Sequence, residues 1–278
     1  MKLENKRYRV EFQEKAAEII SFYDKELELE YIWEGDSNYW AGRNPILFPV
    51  IGSSYNKKYL IHGKEYEMGN HGFARNSMFT LVEQTENSLT LKLDSNEETL
   101  KQYPFEFTLT VTYTLQENEL QVDYKIHNRS KVMMPFNFGL HPAFRCPLEK
   151  GESFKDYQVV FSNEVILNGR GPHSEQTLVS SIPLTYEAFK QYPTWSYHNV
   201  DASYIGYTNQ KHGVWVSIVG YPIVAIWTAK EGAPFICLEP WKALGLRTEQ
   251  DLPFEERDAL LSLSPDHQYL TSYSIQVY

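Results

Sequence analysis

Residues 107–115 read Phe-Thr-Leu-Thr-Val-Thr-Tyr-Thr-Leu, with an apolar side chain at every odd position and a threonine at every even one. A polar turn follows at residues 116–119, and apolar residues then return at alternate positions from Leu120 to Ile126. A period of two places alternate side chains on opposite faces of a β-strand. The stretch therefore predicts an antiparallel hairpin with one buried face and a threonine-rich outer face.

Short apolar segments bounded by turn-forming residues continue along most of the chain. They predict further strands at residues 27–33, 79–84, 88–93, 132–138, 157–161, 203–208, 214–219, 223–228, 234–239 and 268–277. Helical patterns are nearly absent, and the best candidates are one turn near 44–48 and a short stretch at 184–190. Many short strands without a βαβ rhythm indicate an all-β protein with a large antiparallel β-sandwich.

The domain organisation follows from the loops and from the chain length. Segments 145–156 and 168–181 contain Pro, Gly and Ser, and we interpret them as loop insertions rather than linkers. All-β sandwiches of 278 residues often form one domain. We therefore expect a single domain that spans residues 1–278.

Composition limits the kinds of partner. The chain carries 36 Asp and Glu against 26 Lys and Arg, a net charge of −10, and it has no basic run of five or more residues. This balance argues against nucleic-acid and anionic-membrane partners and favours a neutral small molecule. The two cysteines form no CxxC motif, the N-terminus has no apolar signal region, and no apolar stretch approaches the roughly 20 residues of a membrane span. We expect a cytoplasmic monomer or homodimer.

Three distant segments carry ionisable residues among apolar, Gly or Pro neighbours. They are residues 70–75 (Asn-His-Gly-Phe-Ala-Arg), 139–144 (Gly-Leu-His-Pro-Ala-Phe) and 237–241 (Cys-Leu-Glu-Pro-Trp). Imidazole exchanges protons near neutral pH, a carboxylate accepts a hydroxyl proton, and aromatic faces stack on sugar rings. If the fold brings the segments together, they form an acid–base site suited to a sugar.

Glu239 and His141 are the candidate catalytic residues. Glu239 ends the apolar strand 234–238 and is followed by Pro240, so its carboxylate must be paired or functional. A structural salt bridge to Arg75 or Arg43 is the alternative. His141 follows a predicted strand and precedes a proline, at a strand end where catalytic side chains are commonly displayed. The alternative for His141 is a core histidine bonded to the backbone.

The candidate binding residues are less distinctive. His71 precedes Gly72, which would let the backbone approach a ligand closely. Arg75 could orient a carboxylate or form a surface ion pair, and Arg43 could donate paired hydrogen bonds to sugar oxygens. Asp201 could hold a sugar hydroxyl, although a turn explains an aspartate there almost as well.

Several other chemistries lack their motifs. The histidines have no metal-ligand spacing and there is no EF-hand loop, so we expect neither a bound metal nor a cofactor. There is also no GxSxG nucleophile elbow and no P-loop. A glycosidase needs two facing carboxylates, and only Glu239 stands out as flanked by apolar residues.

Taken together, these segments resemble the aldose 1-epimerase (galactose mutarotase-like) family, and specifically its bacterial LacX-like branch. The resemblance begins at residues 17–21 (Ala-Glu-Ile-Ile-Ser), continues through 30–36 (Glu-Tyr-Ile-Trp-Glu-Gly-Asp) and 42–49 (Gly-Arg-Asn-Pro-Ile-Leu-Phe-Pro), and includes the three segments above. The resemblance thus covers nearly the whole chain. Each motif alone is a weak indicator of the family, but together they are specific for it.

The resemblance implies a galactose mutarotase-like supersandwich with an open cleft on a concave sheet. It also implies that Glu239 is the general base and His141 the general acid, with His71, Arg43 and Asp201 as sugar contacts. Such an enzyme interconverts the α and β anomers of a free hexose. The carboxylate removes the proton of the C1 hydroxyl, the imidazolium protonates the ring oxygen, and the opened sugar recloses on its other face.

Two alternatives to a mutarotase for free hexoses stay open. A mutarotase for hexose 6-phosphates would need a basic cluster at the cleft, for which Arg75, Arg145, Lys242 and Arg247 are available near the motifs. A sugar-binding or sensing module without turnover would keep the cleft but would not require an acid–base pair. For the enzyme, the adjacent charges of Glu239 and His141 should stabilise each other, with the carboxylate setting the acidic limb of the pH profile and the imidazole the basic limb.

Overall fold

The fold is built almost entirely from strands, in a computed structural model that describes residues 1–174, 177–244, 252–257 and 260–278. In chain order the strands are β1 (Lys2–Glu4), β2 (Tyr8–Phe12), β3 (Ile19–Asp24), β4 (Leu29–Glu30), β5 (Ile46–Leu47), β6 (Lys58–Ile61), β7 (Lys64–Glu67), β8 (Thr80–Gln84), β9 (Ser88–Asp94), β10 (Phe107–Gln116), β11 (Glu119–Asn128), β12 (Met134–Phe136), β13 (Gly139–Leu140), β14 (Ala143–Arg145), β15 (Gln158–Ile166), β16 (Asn168–Arg170), β17 (Leu178–Pro183), β18 (Thr194–His198), β19 (Tyr204–Thr208), β20 (Gly213–Ser217), β21 (Ile223–Trp227), β22 (Phe235–Trp241), β23 (Leu261–Leu263) and β24 (Gln268–Val277). The helices are α1 (Glu97–Gln102) and α2 (Tyr186–Gln191), and 3₁₀ turns lie at Tyr55–Lys57, Ala74–Asn76, Phe154–Asp156 and Phe254–Glu256. The predicted all-β class is confirmed.

The predicted hairpin lies within a nine-stranded antiparallel sheet of order β17-β15-β19-β20-β24-β11-β10-β9-β8. Strands β10 and β11 pair from Phe107 opposite Asn128 to Gln116 opposite Glu119. The odd-numbered residues of β10 are buried, while the threonines between them are partly exposed on the outer face. The alternation in the sequence therefore correctly predicts which face of the sheet packs against the core.

A second large sheet lies across the core from the first and carries the residues of interest. Its order is β16-β18-β21-β22-β13-β5, with β14 also paired to β22. One continuous cluster of buried side chains combines Ile226 and Leu238 of this sheet with Val111 and Val122 of the nine-stranded sheet. The two sheets thus form a sandwich with a shared apolar core. Smaller sheets are formed by β1–β4, by β6 with β7 and by β12 with β23.

Some predicted elements were wrong, whereas others are confirmed. The helical turn expected near 44–48 is instead strand β5, because Leu47 and Ile46 pair with Gly139 and Leu140. The segment expected to be a loop at 168–181 contains β16 and the start of β17. The helical stretch at 184–190 is confirmed as α2, whose first turn is capped by the Thr185 hydroxyl accepting from Ala188 N–H. Among the described residues, no helix has the length and apolar composition needed to cross a bilayer.

Candidate active site

The three segments singled out in the sequence converge on one pocket of the β22 sheet. The pocket has a volume of about 340 Å³, which lies within the range of small-molecule sites. Its lining combines three tryptophans with polar and ionisable side chains: Trp40, Asn70, His71, Arg75, His141, Thr194, Trp227, Glu239 and Trp241. This composition offers apolar faces and hydrogen-bonding groups to the same ligand.

Glu239 is placed by the central strand β22, opposite Ala225 of β21. The residue is only 1% exposed, and its Oε2 lies 3.3 Å from Nε2 of His141. This histidine, rather than Arg75 or Arg43, is the ionisable partner of Glu239 within 4.0 Å among the described residues. The other carboxylate oxygen, Oε1, is buried and has no hydrogen-bond partner. It is therefore available to a ligand hydroxyl.

His141 lies in the short connection between β13 and β14 and is 7% exposed. The indole of Trp40 stacks on the imidazole with ring centres 4.8 Å apart, and Trp227 meets it edge-on at 5.5 Å. The Nδ1 atom of His141 has no hydrogen-bond partner. The ring is thus held by aromatic packing and by the Glu239 carboxyl.

The protonation of this pair is dominated by burial. Burial raises the pKa of the Glu239 carboxyl well above its usual range, against the opposing effects of the neighbouring Trp241 indole and the Arg75 charge. Burial also lowers the pKa of His141, and the nearby His71 and Arg75 lower it further. Both directions favour the neutral groups, with one proton on the carboxyl. These directions oppose the expectation that both groups are charged at rest, and they reverse the order of pKa values on which the expected assignment of the two limbs of the pH profile depends.

His71 is held in a fixed orientation by the backbone of Gly52. The Gly52 N–H donates to Nδ1 of His71 over 3.0 Å, and the His71 N–H donates back to the Gly52 carbonyl over 2.7 Å. An acceptor at Nδ1 leaves the proton of the neutral ring on Nε2. Burial, followed by the Arg75 charge, lowers the pKa of His71 to about 4. The residue is therefore a neutral hydrogen-bond donor at physiological pH.

Gly72 has a different role from the one expected of it. Its φ is +71°, and a Cβ at this position would lie 2.3 Å from the carbonyl oxygen of Phe48. The glycine therefore permits the loop to contact the Phe48 backbone, rather than bringing its own backbone to a ligand. Phe73 N–H and Ala74 N–H both donate to the same Phe48 carbonyl. This contact anchors the loop that carries His71 and Arg75.

Replacing Gly72 with alanine is expected to lower the free energy of unfolding by more than about 3 kcal/mol, because the overlap with Phe48 adds to the left-handed strain. The matched control is Gly63→Ala, since Gly63 also has a positive φ of +74° but has open space around the new Cβ. Conformational strain alone should cost about 1–2 kcal/mol there. Urea unfolding of both variants measures the difference, and equal losses would contradict the proposed anchoring contact.

Of the remaining predicted binding residues, one lines the pocket and two lie outside its lining. The half-buried Arg75 lines the pocket and its charge acts on Glu239. Arg43 does not line the pocket, because its guanidinium packs against Gly35, where a Cβ would lie 3.0 Å from the Arg43 Cζ. Asp201 is exposed and also lies outside the pocket lining, with its carbonyl accepting from the Asn163 side chain. The roles of Arg43 and Asp201 as sugar contacts stay predictions.

Sequence reasoning assigned no role to several of the lining residues. Trp227 ends β21 and forms an edge-on pair with Trp40 at 5.4 Å, and Trp241 follows Glu239 by two positions on the same strand. Alternation along β22 places Trp241 on the same face as Glu239, so this tryptophan could have been found from the strand pattern. Thr194 and Asn70 carry no comparable signal, because their place in the pocket depends on contacts between distant segments.

Comparison with known proteins agrees with this fold. The sequence model of the aldose 1-epimerase family matches residues 1–180, which include His71, Arg75 and His141. The plasmid-encoded protein LacX of Lactococcus lactis subsp. lactis is 30% identical over 299 residues, covering 100% of this chain and 99% of LacX.

Two solved structures resemble the whole chain. The crystal structure of a galactose mutarotase related enzyme from Lactobacillus acidophilus has a TM-score of 0.90 at 28% identity, covering 100% of this chain and 97% of the other. A galactose mutarotase-like protein from Lactobacillus casei has a TM-score of 0.88 at 29% identity, with 100% and 99% covered. The predicted galactose mutarotase-like supersandwich is confirmed, and the chain belongs to the aldose 1-epimerase family of isomerases.

Proposed function

We propose that the protein interconverts the α and β anomers of a free hexose, with Glu239 and His141 as the acid–base pair. The observation that carries the proposal is the buried contact of 3.3 Å between these two side chains at the pocket of an aldose 1-epimerase family member. Turnover needs a base for the C1 hydroxyl and an acid for the ring oxygen. A protein that only binds sugar needs neither.

The Glu239–His141 pair provides both the base and the acid while it holds a single proton. At rest, the directions of the pKa shifts place this proton on Glu239. Its transfer across the 3.3 Å contact gives a carboxylate and an imidazolium without any exchange with solvent. The Arg75 charge then favours the carboxylate, and the stacked Trp40 face favours the imidazolium through a cation–π contact.

The reaction follows from that state. Glu239 accepts the proton of the C1 hydroxyl while His141 protonates the ring oxygen, and the C1–ring oxygen bond breaks. The aldehyde rotates about the C1–C2 bond and closes on its other face, which returns both protons to their starting groups. Each positioned proton transfer is typically worth about 10²–10⁴ in rate, so the pair accounts for a useful acceleration.

The pocket offers matching contacts for the rest of the sugar. Trp40, Trp227 and Trp241 present aromatic surface to the C–H faces of a pyranose. His71 offers its Nε2 proton, and the indole of Trp241, which lies beside the Glu239 carboxyl, lines the same pocket. Arg75 and Asn70 complete a set of donors that suits the hydroxyl groups of a neutral hexose.

A neutral sugar is favoured over a phosphorylated one by the distribution of cations. Arg145 is paired with Glu34 at 3.2 Å, and Lys242 donates to the Gly220 carbonyl and lies 3.8 Å from the centre of the Tyr221 ring. Arg247 lies outside the described residues. Within the described part of the chain, Arg75 is therefore the one arginine or lysine that lines the pocket. A dianionic phosphate usually requires several such donors.

We expect kcat/KM to be at least about tenfold higher for α-glucose or α-galactose than for glucose 6-phosphate. The assay compares these sugars at low and high salt, because a charge-driven preference is screened by salt. A preference for the phosphate that weakens as salt rises would contradict the proposal and favour the hexose 6-phosphate mutarotase. The neutral sugars serve as the internal control, since their rates should depend little on salt.

The function itself is tested by polarimetry of freshly dissolved α-glucose and α-galactose with and without the protein. We expect the optical rotation to reach equilibrium faster in proportion to the protein concentration, for at least one of the two sugars. An unchanged rate for both sugars would contradict the proposal.

The protein is proposed to act as a single domain over residues 1–278, which is supported by one buried cluster that extends from Leu3 to Val277. A cytoplasmic monomer or homodimer is also proposed. The location is supported by Cys146 and Cys237, both of which are free and buried.

A further inference from the structure

A third potential ligand atom lies beside the Glu239–His141 pair. Cys237 is two residues before Glu239 on β22 and therefore projects from the same face of the strand. Its sulfur, a ring nitrogen of His141 and a carboxylate oxygen of Glu239 all lie within 4.8 Å of one another. All three residues are buried, and Cys237 is a free thiol.

The surroundings leave the donor atoms accessible to one another. In the pairing register, Cys237 lies between Ala143 of β14 and Trp227 of β21, and Glu239 lies opposite Ala225 of β21. Glu239 Oε1 and His141 Nδ1 have no hydrogen-bond partner in the protein. A buried carboxyl with one unpartnered oxygen is unusual and points to a ligand at this carboxyl.

We propose that Cys237, His141 and Glu239 bind a Zn²⁺ ion, and that this ion excludes the sugar from the pocket. Thiolate, imidazole and carboxylate are the ligand types that zinc takes in proteins. The combined charge of Zn²⁺, one thiolate, one carboxylate and a neutral imidazole is zero, which limits the cost of burying the ion. Hard cations such as Mg²⁺ prefer all-oxygen sites, so this donor set selects against them.

The observed distances are close to those of a zinc site. Tetrahedral ligands at 2.0–2.3 Å from zinc are separated from each other by about 3.3–3.6 Å. His141 and Glu239 already meet this spacing at 3.3 Å, and the Cys237 sulfur would need to move by about 1 Å, within reach of a side-chain rotation. The fourth position is left for water from the pocket.

Zn²⁺ binding at this site should release a fixed number of protons. The ion displaces one proton from the Cys237 thiol and the single proton held by the Glu239–His141 pair, so two protons leave for each Zn²⁺ bound. The charged group that faces the ion from the neighbouring loop is Arg75, which opposes binding, while His71 is neutral at physiological pH. Zinc here is an inhibitor of the site and not a cofactor.

The test begins with direct binding to tag-free protein in the absence of sugar. Zn²⁺ is titrated by calorimetry, and Co²⁺ is used as a spectroscopic substitute that shows a sulfur-to-metal charge-transfer band in the near ultraviolet when a thiolate is bound. We expect the band in the wild-type protein. We expect Cys237→Ser to remove it and to weaken Zn²⁺ binding at least tenfold, whereas Cys146→Ser, the matched buried cysteine, leaves both unchanged.

Equal Zn²⁺ affinity of the wild type and Cys237→Ser, or a wild-type cobalt complex without the sulfur band, would overturn the proposal. The cobalt spectrum of the wild type keeps the test valid if a variant fails to fold. The exclusion of sugar rests on the proposed function, but metal binding does not. Binding without any mutarotase activity would therefore refute the enzyme and keep the metal site, while activity that Zn²⁺ leaves unchanged at saturation would refute the exclusion of sugar.

Discussion

Replacing Glu239 with glutamine is expected to lower kcat/KM for anomer interconversion by at least about 10²-fold. The amide has nearly the same volume as the carboxyl but cannot accept the C1 hydroxyl proton. Because the buried carboxyl at rest is neutral, a neutral amide should be accommodated without a large loss of stability. The expected result is a folded protein that binds sugar and does not open its ring.

Polarimetry with α-glucose or α-galactose measures the loss, and thermal unfolding checks the fold. The control is Glu30→Gln, which changes a carboxylate outside the pocket that accepts from the Phe22 and Ile32 backbone N–H groups. This control should keep activity within about threefold of the wild type, a change of less than 1 kcal/mol in the barrier. A folded Glu239→Gln protein with activity in that same range would remove Glu239 from the mechanism.

Replacing His141 with asparagine is expected to cause a loss of about 10²–10⁴-fold, because asparagine cannot protonate the ring oxygen. The wild-type kcat/KM should follow a bell-shaped pH profile with a wide plateau, since activity requires that the pair hold one proton. On the acidic side, the pair gains a second proton at the lowered pKa of His141. On the basic side, it loses its proton at the raised pKa of Glu239.

Without His141, the base Glu239 must lose its proton before it can act, so the residual activity of His141→Asn should rise with pH through the raised pKa of Glu239 and should lack the basic limb of the wild-type profile. His267→Asn serves as the control, because His267 is exposed and lies outside the pocket, and its profile should match that of the wild type. The measurement is kcat/KM for one neutral hexose from acidic to basic pH. A bell-shaped profile in a folded His141→Asn protein that matches the wild-type profile would show that groups other than this pair set the two limbs.

The sequence alone predicts the parts of the fold in which local pattern and final environment agree. The strict alternation of residues 107–115 correctly predicts strand β10, because every apolar residue in it faces the shared core. By contrast, β5 has only two residues, and it is a strand solely because Leu47 pairs with Gly139, some ninety positions away. The N-terminal strand β2 also shows alternating burial, over Tyr8–Phe12, but it was not among the predicted strands.

The site likewise contains residues that the local sequence predicts and residues whose position depends on distant contacts. Glu239 and His141 could be predicted because ionisable residues in apolar strand ends are rare and costly. The stacking of Trp40 on His141 could not, since it depends on how the loop before β5 folds over a connection one hundred residues later. The same loop directs the Arg43 guanidinium to Gly35, a placement that the arginine's chemistry alone does not reveal.

The central claim is that the pocket turns over sugar rather than merely binding it. Its most direct test combines two measurements on the wild-type protein with α-galactose and α-glucose. Sugar binding is followed by the fluorescence of the tryptophans, three of which line the pocket. Anomer interconversion is followed at equilibrium by exchange between the α and β anomeric proton signals in NMR. We predict that, at sugar concentrations where fluorescence shows binding, the exchange rate rises linearly with protein concentration. Saturable binding of both sugars with an exchange rate equal to that of the protein-free solution would contradict the claim and identify a sugar-binding module.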